Sequence, residues 1–189
     1  MEVQLHTFLF ADISGYSRFT ELGGDEAAAD AAIWFASEVS RLAPDHGAEL
    51  VKTAGDAVMV HCVNAAAAIE LGLRLHVDLR AEWEELAFPP IHVGIHTGPA
   101  LKRAGDWWGA TVNIAARVAA AAHAGQLLIT EAAKQAAGDV GTVQLREVGP
   151  LRLKNISAPI WVYSSTPFDG SRLPGLDEEA GIGTFAAVS

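Results

Sequence analysis

Asp12 closes an apolar run, Thr7-Phe8-Leu9-Phe10-Ala11, and opens the turn Ile13-Ser14-Gly15. A carboxylate at the end of a strand, followed by a glycine-containing turn into a helix, suits a divalent cation, and the turn's N–H groups suit the phosphate that travels with such an ion. Ile13 and Gly15 are therefore candidate substrate-binding positions. The competing reading is that Asp12 only caps or turns the chain. Asp56 follows Gly55 at the tip of an expected hairpin. If that hairpin lies beside the first strand, Asp56 converges on Asp12, and two carboxylates that close repel unless a cation separates them. A Gly-Asp pair that merely favours the turn explains Asp56 as well.

Lys52 lies on the other arm of the hairpin, beside Leu50 and Val51 in a segment suited to burial. An unpaired buried ammonium is costly, so this lysine must reach solvent or a partner. Farther on, GDWWGATVNIAAR sets Asn113 and Arg117 four residues apart, on one face of an expected helix. An amide and a guanidinium side by side grip an oxyanion; a surface pair or an interface clamp uses the same spacing.

The elements that must position these residues follow from the pattern. Residues 3–11 read as a buried strand. GGDEAAADAAIWFASEVSRLAPDHG has helical spacing, with Asp25 as its expected N-cap and Pro44 and Gly47 at its end. AELVKTAGDAVMVHCV supplies the hairpin, Asn64 caps a second long helix, and IHVGIHTG after Pro89-Pro90 is a further strand. The order β-α-β-β-α-β predicts an α+β fold with a ferredoxin-like core and its helices on one face. A helix from near Gly109, the strand QLLIT, the helix EAAKQAA and the segments VQLREV and PIWVYSS extend it. One domain over 1–166 is expected, with a loosely held, Gly/Pro/acid-rich tail over 167–189.

Composition narrows the function. With 189 residues, half of them hydrophobic, the chain buries a real core. Its net charge of −10 opposes unassisted binding to nucleic acid or an anionic membrane. The single cysteine, Cys62, excludes an internal disulfide, and no apolar run approaches a membrane span. A cytoplasmic setting is expected, and the initiating Met1 favours a stand-alone protein over an excised domain.

FADISGYS, KTAGDAVM, GIHTG and GDWWGATVNIAAR, in this order, resemble the catalytic domain of class III nucleotidyl cyclases over roughly residues 5–165. The resemblance implies that Asp12 and Asp56 bind two divalent ions, Mg²⁺ or Mn²⁺, and that Lys52 and Asp106 read the purine. It implies too that Asn113 and Arg117 position the ribose and stabilise the transition state. A Lys/Asp reader resembles the adenine-selecting type, so ATP is the expected substrate and cyclic AMP the product. Sites of this family lie between two chains, which implies a symmetric homodimer with two equivalent sites. A guanylate or mixed-specificity cyclase, and a nucleotide-binding regulatory module without turnover, are the alternatives.

Two departures from the family pattern stand out. PALKRAG is short where many relatives carry a long dimer-contacting arm. Trp107 and Trp108 are candidates to replace that contact, two buried core tryptophans being the plainer explanation. Lys154 in LRLKNISAP is the nearest match to a further phosphate-binding lysine. His96 and His123 are expected near the site, where they would make activity pH-sensitive.

Overall fold

Leu5–Ile13 forms β1, whose odd residues face one side of a sheet and whose even residues face the other. The structure is a computed structural model that describes residues 4–86, 88–141 and 143–167. The expected tail lies outside the described residues beyond Pro167. Helix α1 (Tyr16–Leu42) follows, then a short 3₁₀ turn, the hairpin β2 (Ala48–Ala54) and β3 (Ala57–Cys62), helix α2 (Ala65–Leu86) and β4 (Ile91–Pro99). A small hairpin, β5 (Leu101–Arg103) and β6 (Asp106–Trp108), leads into α3 (Ala110–Ala121); β7 (Leu127–Thr130), α4 (Glu131–Ala137), β8 (Val143–Leu151) and β9 (Ile160–Pro167) complete the described chain.

The main sheet runs β2-β3-β1-β4-β7-β9-β8. Its first four strands each run antiparallel to their neighbours and are the expected βαββαβ core; β4 and β7 pair in parallel. Leu9, Ala11, Ile13, Val58, Val60, Val93 and Ile95 bury one face against Phe35 and Val39 of α1 and Leu71 and Leu75 of α2. The other face carries Phe8 and Met59 under Trp107 and α3's Val112 and Ala115. Asp12, an even residue of β1, therefore opens on the α3 side.

Helix α1 begins earlier than the sequence suggests. It starts at Tyr16, directly after Gly15, and is interrupted at Gly24 (φ 84°, ψ 165°), so the expected start near Asp25 is the start of its second segment. The glycine pair conceals the first two turns, which are otherwise well formed. Asn64 caps α2 as expected, its Oδ1 accepting from Ala67 N–H at 2.8 Å.

Helix α3 sits unusually close to the sheet because β4 offers no side chain beneath it at Gly94. A Cβ there would lie 2.1 Å from Ala119 N and 2.6 Å from its Cα, both backbone atoms that cannot step aside. Gly94→Ala is expected to lift α3 and destabilise the protein by about 3 kcal/mol or more. A urea midpoint unchanged from wild type would contradict that packing.

Candidate functional site

Each sequence-predicted residue is delivered by a distinct local device. Asp12 sits at the end of β1 opposite Ala57 of β3 and His92 of β4. Asp56 follows Gly55 in the two-residue turn between Ala54 and Ala57, at the hairpin tip as expected. Because β3 pairs with β1, that turn brings Asp56 to Asp12, near enough for each carboxyl to act on the other's titration. Burial pushes the Asp12 carboxyl up, but His92, Asp56 and the Ile13 N–H outweigh it and hold the group below the usual carboxylate range. Burial, with Asp12 beside it, lifts Asp56 to about 6.

One Asp12 oxygen, Oδ1, is buried without a hydrogen-bond partner. Among the described residues no group of three or more His, Cys, Asp or Glu side chains gathers into a metal cage. Two hard oxygen donors, one of them uncommitted, fit Mg²⁺ or Mn²⁺ of the kind completed by substrate phosphates and water. They do not fit a closed structural metal site.

Lys52 reaches its position through a β-bulge. The register shifts between Leu50 and Lys52, so Leu50 stands opposite Val60 and Lys52 opposite Met59. Without the extra residue Lys52 would turn to the α1–α2 face. Instead it crosses to Asp106 at the start of β6, its Nζ donating to Oδ2 at 2.5 Å. The Trp107 N–H donates to the other oxygen, Oδ1, at 2.8 Å. Lys52 holds the Asp106 carboxyl below its ordinary range, assisted by that N–H.

The two tryptophans part company. Trp107 is 7% exposed, with its ring stacked on His61 at 4.4 Å and edge-on to Phe8. Trp108 is 58% exposed. One is thus the seat that fixes Asp106, and the other faces outward, so the expectation of two core tryptophans holds for Trp107 alone.

On α3, Thr111, Val112, Ala115, Val118 and Ala119 are buried, leaving Asn113 exposed and Arg117 half-buried on the outer face. Neither side chain has a hydrogen bond or ion pair among the described residues. Arg117 in particular is not bound to Asp12 or Asp56. Lys154 is exposed in the loop between β8 and β9, beside Leu153, which shares a buried cluster with Val118 of α3. In the turn after β1, the Ile13 side chain is buried in the core and the Ser14 N–H is taken by Pro90 O at 2.7 Å. Only backbone groups here remain for a ligand: Gly15 caps α1 with no side chain satisfying the helix's first N–H groups.

The histidine expectation is corrected. His96 is buried under α3 with Nδ1 2.8 Å from Thr130 Oγ1, and burial lowers it to about 4. His123 is exposed beyond the end of α3. The histidine beside the carboxylates is His92, with Nε2 3.6 Å from Asp12 Oδ2. Counting across the β1–β4 pair would have found it, since it stands directly opposite Asp12.

His76, buried in α2 with Nδ1 donating to Gly72 O, is likewise lowered to about 4 by burial. The unfolded chain takes up protons below about 6.5, whereas these two histidines resist until about 4. Stability is therefore lost as pH falls through that window, by up to about 3 kcal/mol for each group. The thermal midpoint is expected to drop by several degrees between pH 7 and pH 4.5; equal midpoints would mean both rings are open to water when folded.

Comparison with known proteins agrees with this arrangement. Residues 2–163 match the family described as the adenylate and guanylate cyclase catalytic domain. A pH-sensitive adenylate cyclase of Mycobacterium tuberculosis is 33% identical over 163 residues, covering 83% of this chain and 39% of that protein. An adenylate cyclase of Streptomyces griseus is 33% identical over 120 residues, covering 64% of this chain and 29% of that protein. This chain thus spans well under half the length of both. The crystal structure of the adenylyl cyclase CyaB from P. aeruginosa superposes with a TM-score of 0.73 at 27% identity, covering 88% of this chain and 96% of that one. An adenylate/guanylate cyclase/hydrolase structure from Silicibacter pomeroyi gives 0.78 at 26% identity, covering 88% and 98%. With the matched region spanning both carboxylates, the Lys52–Asp106 pair and the outer face of α3, the chain belongs to the adenylate and guanylate cyclase catalytic domain family.

Proposed function

We propose that this chain is an adenylate cyclase catalytic domain that converts ATP to 3′,5′-cyclic AMP and pyrophosphate at two sites shared across a symmetric homodimer. The observation that supports this reading is that the chain pairs Lys52 with Asp106 but leaves an Asp12 oxygen and the Asn113 and Arg117 side chains without partners among the described residues. Asp12 and Asp56 meet at one sheet end with an oxygen uncommitted. Lys52 and Asp106 meet across the α3 face, while Asn113 and Arg117 project from α3 without a partner among the described residues.

Asp12 and Asp56 are the residues that would hold two divalent ions, Mg²⁺ or Mn²⁺. Such ions acidify the ribose 3′-hydroxyl and neutralise polyphosphate charge. Asp106 accepts from adenine N6 and Lys52 donates to N1; guanine presents the opposite pattern at both atoms. Asn113 orients the ribose so that its 3′-oxygen lies in line with the α-phosphorus. As the 3′-hydroxyl gives its proton to solvent and the new O–P bond forms, the bond from the α-phosphorus to the bridging oxygen breaks and pyrophosphate leaves. Arg117 stabilises the charge on the five-coordinate phosphorus. The Gly15 N–H and the open first turn of α1 receive phosphate oxygens, with Lys154 a further phosphate contact. No described helix is long and apolar enough to cross a membrane.

The test is product formation from ATP and from GTP, with Mn²⁺ and with Mg²⁺, at several protein concentrations. Cyclic AMP with a specific activity that rises with protein concentration is expected. Cyclic GMP as the main product would reassign the purine, and nucleotide binding without a cyclic product would make the chain a regulatory module.

A further inference from the structure

Asp12 has a histidine facing one oxygen and no hydrogen-bond partner at the other, and that histidine is itself held by a third residue. The Ser14 hydroxyl lies 2.9 Å from His92 Nδ1. On the far side of the same ring, Nε2 lies 3.6 Å from Asp12 Oδ2, just beyond hydrogen-bond reach. The three residues are tied by backbone as well: His92 stands opposite Asp12 in the β1–β4 register, and the Ser14 N–H donates to Pro90 O. The Ser14 hydroxyl can donate to Nδ1 or accept from it, and the carboxylate on the other side of the ring favours the first arrangement. If its hydroxyl donates to Nδ1, the ring proton is on Nε2 and faces the carboxylate; the reverse tautomer would turn a lone pair against an anion.

We propose that Ser14 and His92 form a positioning relay for Asp12, holding Oδ2 so that the buried, unpartnered Oδ1 is presented to a divalent ion. The proposal rests on the reading of Asp12 as a metal-binding residue. His92 is a positioning residue and touches neither the ion nor the nucleotide. Groups that orient a liganding side chain commonly set metal affinity by ten- to a hundredfold. The relay is built from β4 and the β1–α1 turn, so it stays with Asp12 whether or not a second chain is present.

The test is Mn²⁺ titration of the nucleotide-free chain, followed by the electron paramagnetic resonance of free Mn²⁺ at one fixed pH, on protein whose thermal midpoint matches wild type. His92→Phe, which keeps a ring but no donor, is expected to weaken Mn²⁺ binding by about tenfold or more. His92→Gln, which returns an N–H at similar reach, is expected to recover most of that loss. In turnover assays His92→Phe should raise the Mn²⁺ concentration needed for half-maximal rate while leaving the rate at saturating Mn²⁺ close to wild type. Wild-type Mn²⁺ affinity in His92→Phe would overturn the proposal. Should His92→Phe fail to fold, Ser14→Ala, which deletes only the hydroxyl, decides the question by the same readout. Asp12→Asn is the control: if it binds Mn²⁺ like wild type, the metal reading itself has failed, an outcome distinct from a normal control beside an unaffected His92 variant.

Discussion

Mixing Asp12→Ala chains with Arg117→Ala chains is expected to restore about a quarter of wild-type turnover, although neither variant turns over alone. The arithmetic follows from symmetry: random pairing makes about half of the dimers heterodimers, and each of these holds one intact site of two. On the proposed mechanism Asp12→Ala would remove a metal-binding carboxylate and Arg117→Ala the charge facing the phosphorane, so each alone should lower kcat by about a thousandfold. Within one chain Arg117 is not paired with Asp12 or Asp56, which is what a guanidinium destined for another chain's phosphate requires. Mixtures that stay as inactive as the separate variants would sink the shared-site mechanism. Recovery that is independent of total protein concentration would argue for a very tight dimer.

Replacing Lys52 with Glu and Asp106 with Ser is expected to shift the ratio of kcat/KM for ATP over GTP by about a thousandfold toward GTP, through loss of two charge-assisted hydrogen bonds and gain of complementary ones. The exchange is feasible because the present pair is exposed at Lys52 and held apart from the main core. An ion pair this open to solvent adds little to the stability of the fold. A purine edge reading this pair would therefore displace little on separating the two side chains, and the double variant should melt close to wild type. A ratio that moves less than about tenfold would remove Lys52 and Asp106 from the role of purine reader. Separate measurement of KM and kcat tells binding from placement, since a purine held in the wrong register lowers kcat as well.

Much of this architecture is legible in the sequence. The alternating and helical apolar patterns, the Asn64 cap and the Gly-rich turns fix nearly every element, because each is a local consequence of side-chain periodicity and backbone freedom. The site residues are legible for a related reason: Asp12, Lys52 and Asp56 are polar where the pattern calls for apolar residues or a plain turn. Helix α1 escapes in part, since Gly23-Gly24 reads as a terminus although the break costs only one residue of helical geometry. The β5–β6 hairpin escapes as well, its strands of three residues being too short to carry a period.

What the sequence by itself determined was which residues are candidates for chemistry and which elements carry them, down to an aspartate at the end of β1 and an amide–guanidinium pair on one face of α3. Only the tertiary structure decided which of them meet. The bulge at Val51 turns Lys52 toward Asp106, the β1–β4 register places His92 and not His96 beside Asp12, and Gly94 lets α3 settle onto the sheet with Arg117 facing out. Strand register, bulge position and helix approach are set by long-range packing between segments tens of residues apart, where a shift of a single residue reverses the face on which a side chain appears.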